Sequence, residues 1–130
     1  MIRTASLEQA ELAIIGAGCA GLSLARQLVR TEKTSSIKAC LYGPVSPATT
    51  NRHSWGFWAT QGLKEQTELA RQRWHKWQII TAERKVTQTA DSHPYCRLDS
   101  RDWLTHCLNI IDGNIQQKPD SLPTPGAQPV

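Results

Sequence analysis

No apolar run in these 130 residues approaches the roughly 20 that a helix needs to cross a bilayer. Met1–Ala10 has no apolar core of the kind a secretory leader carries, so the chain reads as cytoplasmic or peripheral to a membrane and not secreted. The four cysteines, Cys19, Cys40, Cys96 and Cys107, form no CxxC, and no Cys/His spacing suits zinc. They read as reduced, mostly packed thiols, and no metal is expected. The basic residues are scattered, and no Lys/Arg run makes a nucleic-acid arm. Formal net charge is nevertheless +4, a balance that favours anionic partners such as nucleotides or acidic lipid surfaces. No internal repeat is present.

What is present begins at Glu11. A short apolar run, Leu12–Ile15, enters Gly16-Ala17-Gly18-Cys19-Ala20-Gly21, and an apolar stretch with helical spacing follows, Leu24 and Leu28 lying four apart. Strand, tight glycine turn and helix in that order open a dinucleotide-binding βαβ unit. Gly16 permits the turn, Gly18 lets a pyrophosphate approach the backbone, and Gly21 lets the helix pack near the strand. The helix start then offers free N–H groups and partial positive charge to phosphates. The same six residues could instead make only a tight packing turn.

Downstream, about Ala20–Arg30 reads as the first helix and Ile37–Tyr42 as the second strand, stopped by Gly43-Pro44 and Pro47. Trp55, Phe57 and Trp58 fall in one short segment. From Gln61 a stripe of Leu63, Thr67, Ala70, Trp74 and Trp77 alternates four and three apart, which predicts a helix. Trp77–Thr81 and Lys85–Thr89 predict a hairpin around Glu83-Arg84. Asp99 or Ser100 is placed to cap a helix through Ile111, with Leu104, Leu108 and Ile111 on one face and Gly113 at its end.

Two expected features are missing. A βαβ dinucleotide site usually carries Asp or Glu at the end of its second strand for the ribose. Here that strand ends Cys40-Leu41-Tyr42-Gly43-Pro44, without a carboxylate. A further parallel strand is due near Asn114-Ile115, but four prolines, Pro119, Pro123, Pro125 and Pro129, follow. They predict a disordered tail. Two parallel strands and about three helices would bury only a modest core. The expected organisation is a polar lead-in at 1–10, a partial Rossmann-like domain with an aromatic insertion at 11–117 and a Pro-rich tail at 118–130. The fold class is α/β, the truncated N-terminal part of a Rossmann-type FAD/NAD(P)-binding domain with parallel strands.

Four segments resemble one family. GAGCAGLSLARQL looks like the N-terminus of FAD-dependent lycopene cyclases. Asn51-Arg52-His53-Ser54-Trp55-Gly56-Phe57-Trp58 is similar to their Asn-Arg-Thr-Trp-Cys-Phe-Trp-like motif. Trp74 and Trp77 fall where the family carries a Trp-rich segment, and Pro94–Leu104 resembles its Tyr-x-x-(Ile/Leu)-x-Ser-x-x-(Phe/Leu) entry into a helix. The resemblance covers roughly Glu11–Ile111. Departures are the absent acid near Tyr42, Gly56 in place of the usual Cys, and the lack of the family's acidic catalytic motif, which lies beyond this length.

That resemblance implies an enzyme of carotenoid biosynthesis that closes the ends of lycopene into β-rings with no net redox change. It implies reduced FAD, with NAD(P)H as electron source, and lycopene as partner, with possible peripheral membrane contact. Gly16, Ala17, Gly18, Cys19, Ala20 and Gly21 would hold the cofactor, with Arg52 placed to reach its phosphates or to lie on the surface. Trp55, Phe57 and Trp58 would line a polyene site, stack on the flavin or anchor a loop. His53 and His75 invite a general-base role but have no identified partner. No catalytic acid can be assigned, so the chain is expected to be inactive alone. Alternatives are a fragment of another FAD-dependent oxidoreductase or monooxygenase, and a non-enzymatic remnant.

Overall fold

A computed structural model describes residues 10–31, 37–44 and 53–119. The chain divides into two compact units, Met1–Asn51 with Leu104–Val130, and Arg52–Trp103.

In the first unit, strand β1 (Leu12–Ile15) leads to helix α1 (Cys19–Arg30) and strand β2 (Ala39–Tyr42). The two strands pair in parallel from Leu12↔Ala39 to Ile15↔Tyr42. Helix α1 buries Leu22, Ala25 and Arg26 and leaves Leu24 exposed, as an amphipathic helix on a sheet does. Leu22 and Leu41 are wholly buried, contributing about 2 kcal/mol each by removal of apolar surface from water. Cys40 and Cys107 are buried and not joined in a disulfide.

One expectation is corrected here. The chain does not leave the fold after the last helix, α3 (Ser100–Ile111). Ile115 is buried, and Gln116–Lys118 forms a third strand, β8, parallel to β2. Gly113, at φ 74°, supplies the left-handed residue that ends the helix and turns the chain back. The strand is three polar residues held by backbone pairing, so it has no apolar alternation to betray it. Lys118 thus belongs to the sheet and not to a tail. Of the expected tail, 120–130 lie outside the described residues, as do 1–9 of the lead-in.

In the second unit, strands β3 (Ser54–Trp58), β4 (Gln72–Trp74) and β7 (Tyr95–Asp99) make an antiparallel sheet in the order β3-β7-β4. A short 3₁₀ turn, Gln61–Leu63, and helix α2 (Lys64–Leu69) join β3 to β4. Strands β5 (Lys76–Ile80) and β6 (Lys85–Thr89) form the expected hairpin. Its turn closes where the Thr81 N–H donates to the Arg84 carbonyl at 2.8 Å.

The helix predicted from the Leu63–Trp77 stripe is also corrected. It stops at Leu69, Ala70 turns extended, and both tryptophans lie on strands. The Arg71 N–H donates to the Arg97 carbonyl at 2.9 Å, which starts β4 on β7. Tertiary pairing overrides a spacing that mimics a helix. Phe57 packs against a small core of Ala59, Ala70 and Cys96.

At the start of α3 the two capping candidates divide the work. The Asp99 carboxylate accepts from the Arg101 N–H at 2.9 Å. The buried Ser100 hydroxyl instead accepts from the His53 N–H at 2.9 Å, while the Ser100 N–H donates to the His53 carbonyl. That exchange fixes the entry to β3.

Candidate functional site

In the first unit, the glycine turn sits at the carboxyl edge of the parallel sheet. Gly16 adopts φ 105°, a region that glycine enters without steric cost, and its N–H donates to the Tyr42 carbonyl at 2.7 Å. Gly21 is demanded by contact: a Cβ there would stand 1.8 Å from the Gly16 carbonyl oxygen. Gly18 is different. A Cβ there would meet nothing within 4 Å, and Gly18, Cys19 and Ala20 are exposed. The space above the turn is open. Helix α1 starts at this point with no side chain capping it and no acid in its first turn, so its positive end and early N–H groups face that space.

The end of β2 closes down on the turn. Gly43, at φ 127°, would place a Cβ 3.3 Å from the Ala17 nitrogen and 3.4 Å from the Gly16 Cα. A residue carrying a carboxylate would be strained and crowded there. Tyr42 is wholly buried, and its burial, then the neighbouring Cys40 thiol, push the phenol up to about 12. It stays a neutral group and supplies no anionic acceptor. The cradle therefore fits a pyrophosphate, but among the described residues the carboxylate that would receive a ribose is missing. Next along the edge is Lys118. The Gly43 N–H donates to its carbonyl at 3.1 Å, and its ammonium lies 5.9 Å from the Tyr42 ring centroid. Arg52 lies outside the described residues.

In the second unit, β3 sends its aromatics to opposite faces. Trp55 and Phe57 pair with the buried Leu98 and Cys96, whereas Trp58 is 49% exposed. Trp58 meets Tyr95 edge-on at 4.9 Å between centroids and Trp77 at 6.1 Å, and Trp74 lies 6.2 Å from Tyr95. These separations are the favourable ones for aromatic pairs. Trp77 and Ile79 share a face of the hairpin, and Ile79 pairs with Val86. The outcome is a strip of Trp58, Trp77, Ile79 and Val86, with Ile79 55% and Val86 40% exposed.

Tyr95 opens the Tyr-x-x-(Ile/Leu)-x-Ser segment, but that motif gave it no place beside the aromatics of β3. Its signal lay in strand register, which places it opposite Trp58. The register also explains Gly56. A Cβ there would stand 1.7 Å from the Tyr95 hydroxyl and 2.5 Å from its ring carbon, so the tyrosine fills the space that a cysteine side chain would need.

Among the described residues, His53 and His75 are tied into the fold through their backbones. His53 is held by its backbone to Ser100, and the His75 carbonyl accepts from the Ala90 N–H. The Arg71 guanidinium grips the Asp102 carboxylate through Nε at 2.6 Å and Nη2 at 3.0 Å, which raises the arginine further and ties β4 to the start of α3. Among the described residues no cluster of His, Cys, Asp or Glu could hold a metal, and no helix is long and apolar enough to cross a membrane.

A family model described as lycopene cyclase protein matches residues 11–111, most of the chain. No curated protein matches it.

Proposed function

The chain belongs to the lycopene cyclase family, and on that premise we propose that it is the N-terminal, FAD-binding portion of a lycopene cyclase-like flavoprotein. The proposed fold is the opening of a Rossmann-type domain. The observation that carries the cofactor reading is the contrast within one turn: Gly21 is packed on the Gly16 carbonyl, while Gly18 faces open space at an uncapped helix start. Backbone N–H groups from Gly18 to Gly21 would hold the pyrophosphate of a dinucleotide. Reduced flavin, when bound, would stabilise the positive charge that develops as a lycopene end closes.

The strip Trp58–Trp77–Ile79–Val86 supports the substrate half of the proposal. Its exposed apolar length suits a polyene, and its electron-rich rings favour a carbocation. Ile80 with Lys76, Arg84 and Lys85 on the same hairpin suits peripheral contact with an anionic bilayer. Cyclisation also needs a general acid, and no residue of this sequence is assigned that role. The 130-residue chain is therefore proposed to bind without turning over.

Two measurements test this. Calorimetric titration with FAD should give saturable binding weaker than micromolar, since a missing charge-assisted hydrogen bond costs about tenfold to a hundredfold in affinity. No binding up to millimolar FAD would remove the cofactor reading. Expression in lycopene-accumulating cells should give no β- or γ-carotene above an empty vector, and product would overturn the claim of inactivity.

A further inference from the structure

Two arginines of the second unit meet different partners. Arg71 grips the Asp102 carboxylate through two hydrogen bonds. Arg97 is half-buried, its Nη1 donates to the neutral Ser54 hydroxyl at 3.1 Å, and its Nε is buried without a partner. Asp99, next on the same face of β7, turns its carboxylate to the Arg101 N–H. A guanidinium drawn partly out of water beside a hydroxyl lacks the anion that would offset its burial. Strand register sets what surrounds it. Arg97 stands between Gly56 of β3 and Gln72 of β4, and Trp58, Tyr95 and Trp74 form the neighbouring row on that face. The Tyr95 hydroxyl fills the place where a side chain on Gly56 would lie, so an O–H stands across the sheet from Arg97. Through Trp58 the row meets Trp77 of the hairpin. The apolar strip of Trp58, Trp77, Ile79 and Val86 therefore adjoins a polar, cationic end. A ligand made only of hydrocarbon would give neither donor at that end an acceptor.

We propose that this face also takes a fatty acid, its chain laid along the strip and its carboxylate held between the Arg97 guanidinium and the Tyr95 hydroxyl. The planar fork of an arginine suits a carboxylate, and a charge-assisted bond is the stronger kind. The inference rests on the strip binding an apolar chain, as the proposed function has it, and adds a head group that a polyene hydrocarbon lacks. A fatty acid would share the strip with the polyene, so the two should compete for it.

The test follows tryptophan fluorescence of the full 130-residue chain, at low salt and below micelle formation, on titration with dodecanoate, dodecanol and acetate. Dodecanoate and dodecanol share a chain and differ in the head, and acetate is the head alone. Dodecanoate should bind about tenfold or more tightly than dodecanol, the scale of one charge-assisted hydrogen bond, and acetate far more weakly than dodecanoate. High salt should shrink the preference in the parent protein, a readout that needs no variant. Arg97→Gln should bring the ratio near one with dodecanol affinity unchanged, and Arg97→Lys should keep part of it. Arg73→Gln, which removes a charge from the opposite face of the same sheet, should leave it intact. Equal binding of dodecanoate and dodecanol, a preference that salt does not weaken, or one that survives Arg97→Gln would each overturn the inference while leaving the apolar strip in place. Acetate binding as tightly as dodecanoate would also overturn it, by making this a site for a free anion. If neither chain binds, the strip and the inference fall together.

Discussion

The two units build their candidate sites from different materials. In the parallel unit the site is backbone: a glycine turn, a helix start and strand ends brought level by pairing. In the antiparallel unit it is side chains, an aromatic and aliphatic strip assembled across β3, β5, β6 and β7. A backbone site depends on what each position must lack. Gly21 cannot carry a Cβ, Gly43 could carry a side chain only under strain, and Gly18 leaves room. A side-chain site depends on register, because a one-residue slip would turn Trp58 away from Tyr95. Substitutions should therefore act steeply at glycines of the first unit and through packing partners in the second.

The steepest effect is expected at Gly21. Gly21→Val drives a side chain into the Gly16 carbonyl, a backbone atom that cannot swing aside. A loss of about 3 kcal/mol or more should follow, read from the denaturant midpoint. A midpoint within error of the parent would mean that helix and strand are not packed as described.

Gly56 sharpens the comparison, because there the obstacle is a side chain. Gly56→Ala should cost about 1–3 kcal/mol by displacing the Tyr95 ring. In the Tyr95→Leu background the cost should fall, and the double-mutant cycle should show that coupling. All five tryptophans lie in Arg52–Trp103, so unfolding of this unit can be followed by their fluorescence. Additive effects would place Tyr95 elsewhere.

A smaller effect concerns pH. Tyr42 ordinarily titrates near 10 and is raised to about 12 in the fold, mainly by burial. The folded state then holds its proton where the unfolded chain has lost it. Its stabilising contribution is complete below pH 10 and is lost as pH rises from 10 towards 12. Denaturant unfolding at stepped pH should show that decline, and Tyr42→Phe should flatten it. An equal slope in both proteins would contradict the buried placement.

Much of the first unit was legible because its determinants are local. The apolar run, the glycine spacing and the helical pattern lie within Leu12–Arg30, and Arg30 sits in the last helical turn as expected. The absent acid was also visible, and Gly43 now supplies its steric reason. Strand β8 was not visible, since Gln116-Gln117-Lys118 has no pattern and needs β2 as its template. In the second unit the hairpin was readable from its turn. The stripe from Leu63 to Trp77 misled, because spacings of three and four also arise when a short helix is followed by strands that place tryptophans at Trp74 and Trp77. The meeting of Trp58, Trp77 and Tyr95 joins residues far apart in sequence and needed the register. So did the clasp of Arg71 on Asp102.

The most direct test of the account is the contrast between two glycines three residues apart. Gly18→Val adds a side chain into open space, so the melting temperature should stay within a degree or two of the parent, about the shift of a small surface change. The same side chain would occupy the path of a pyrophosphate, so titration with FAD should show binding lost. A folded Gly18→Val protein that binds FAD with parental affinity would contradict the assignment of this turn as the phosphate site.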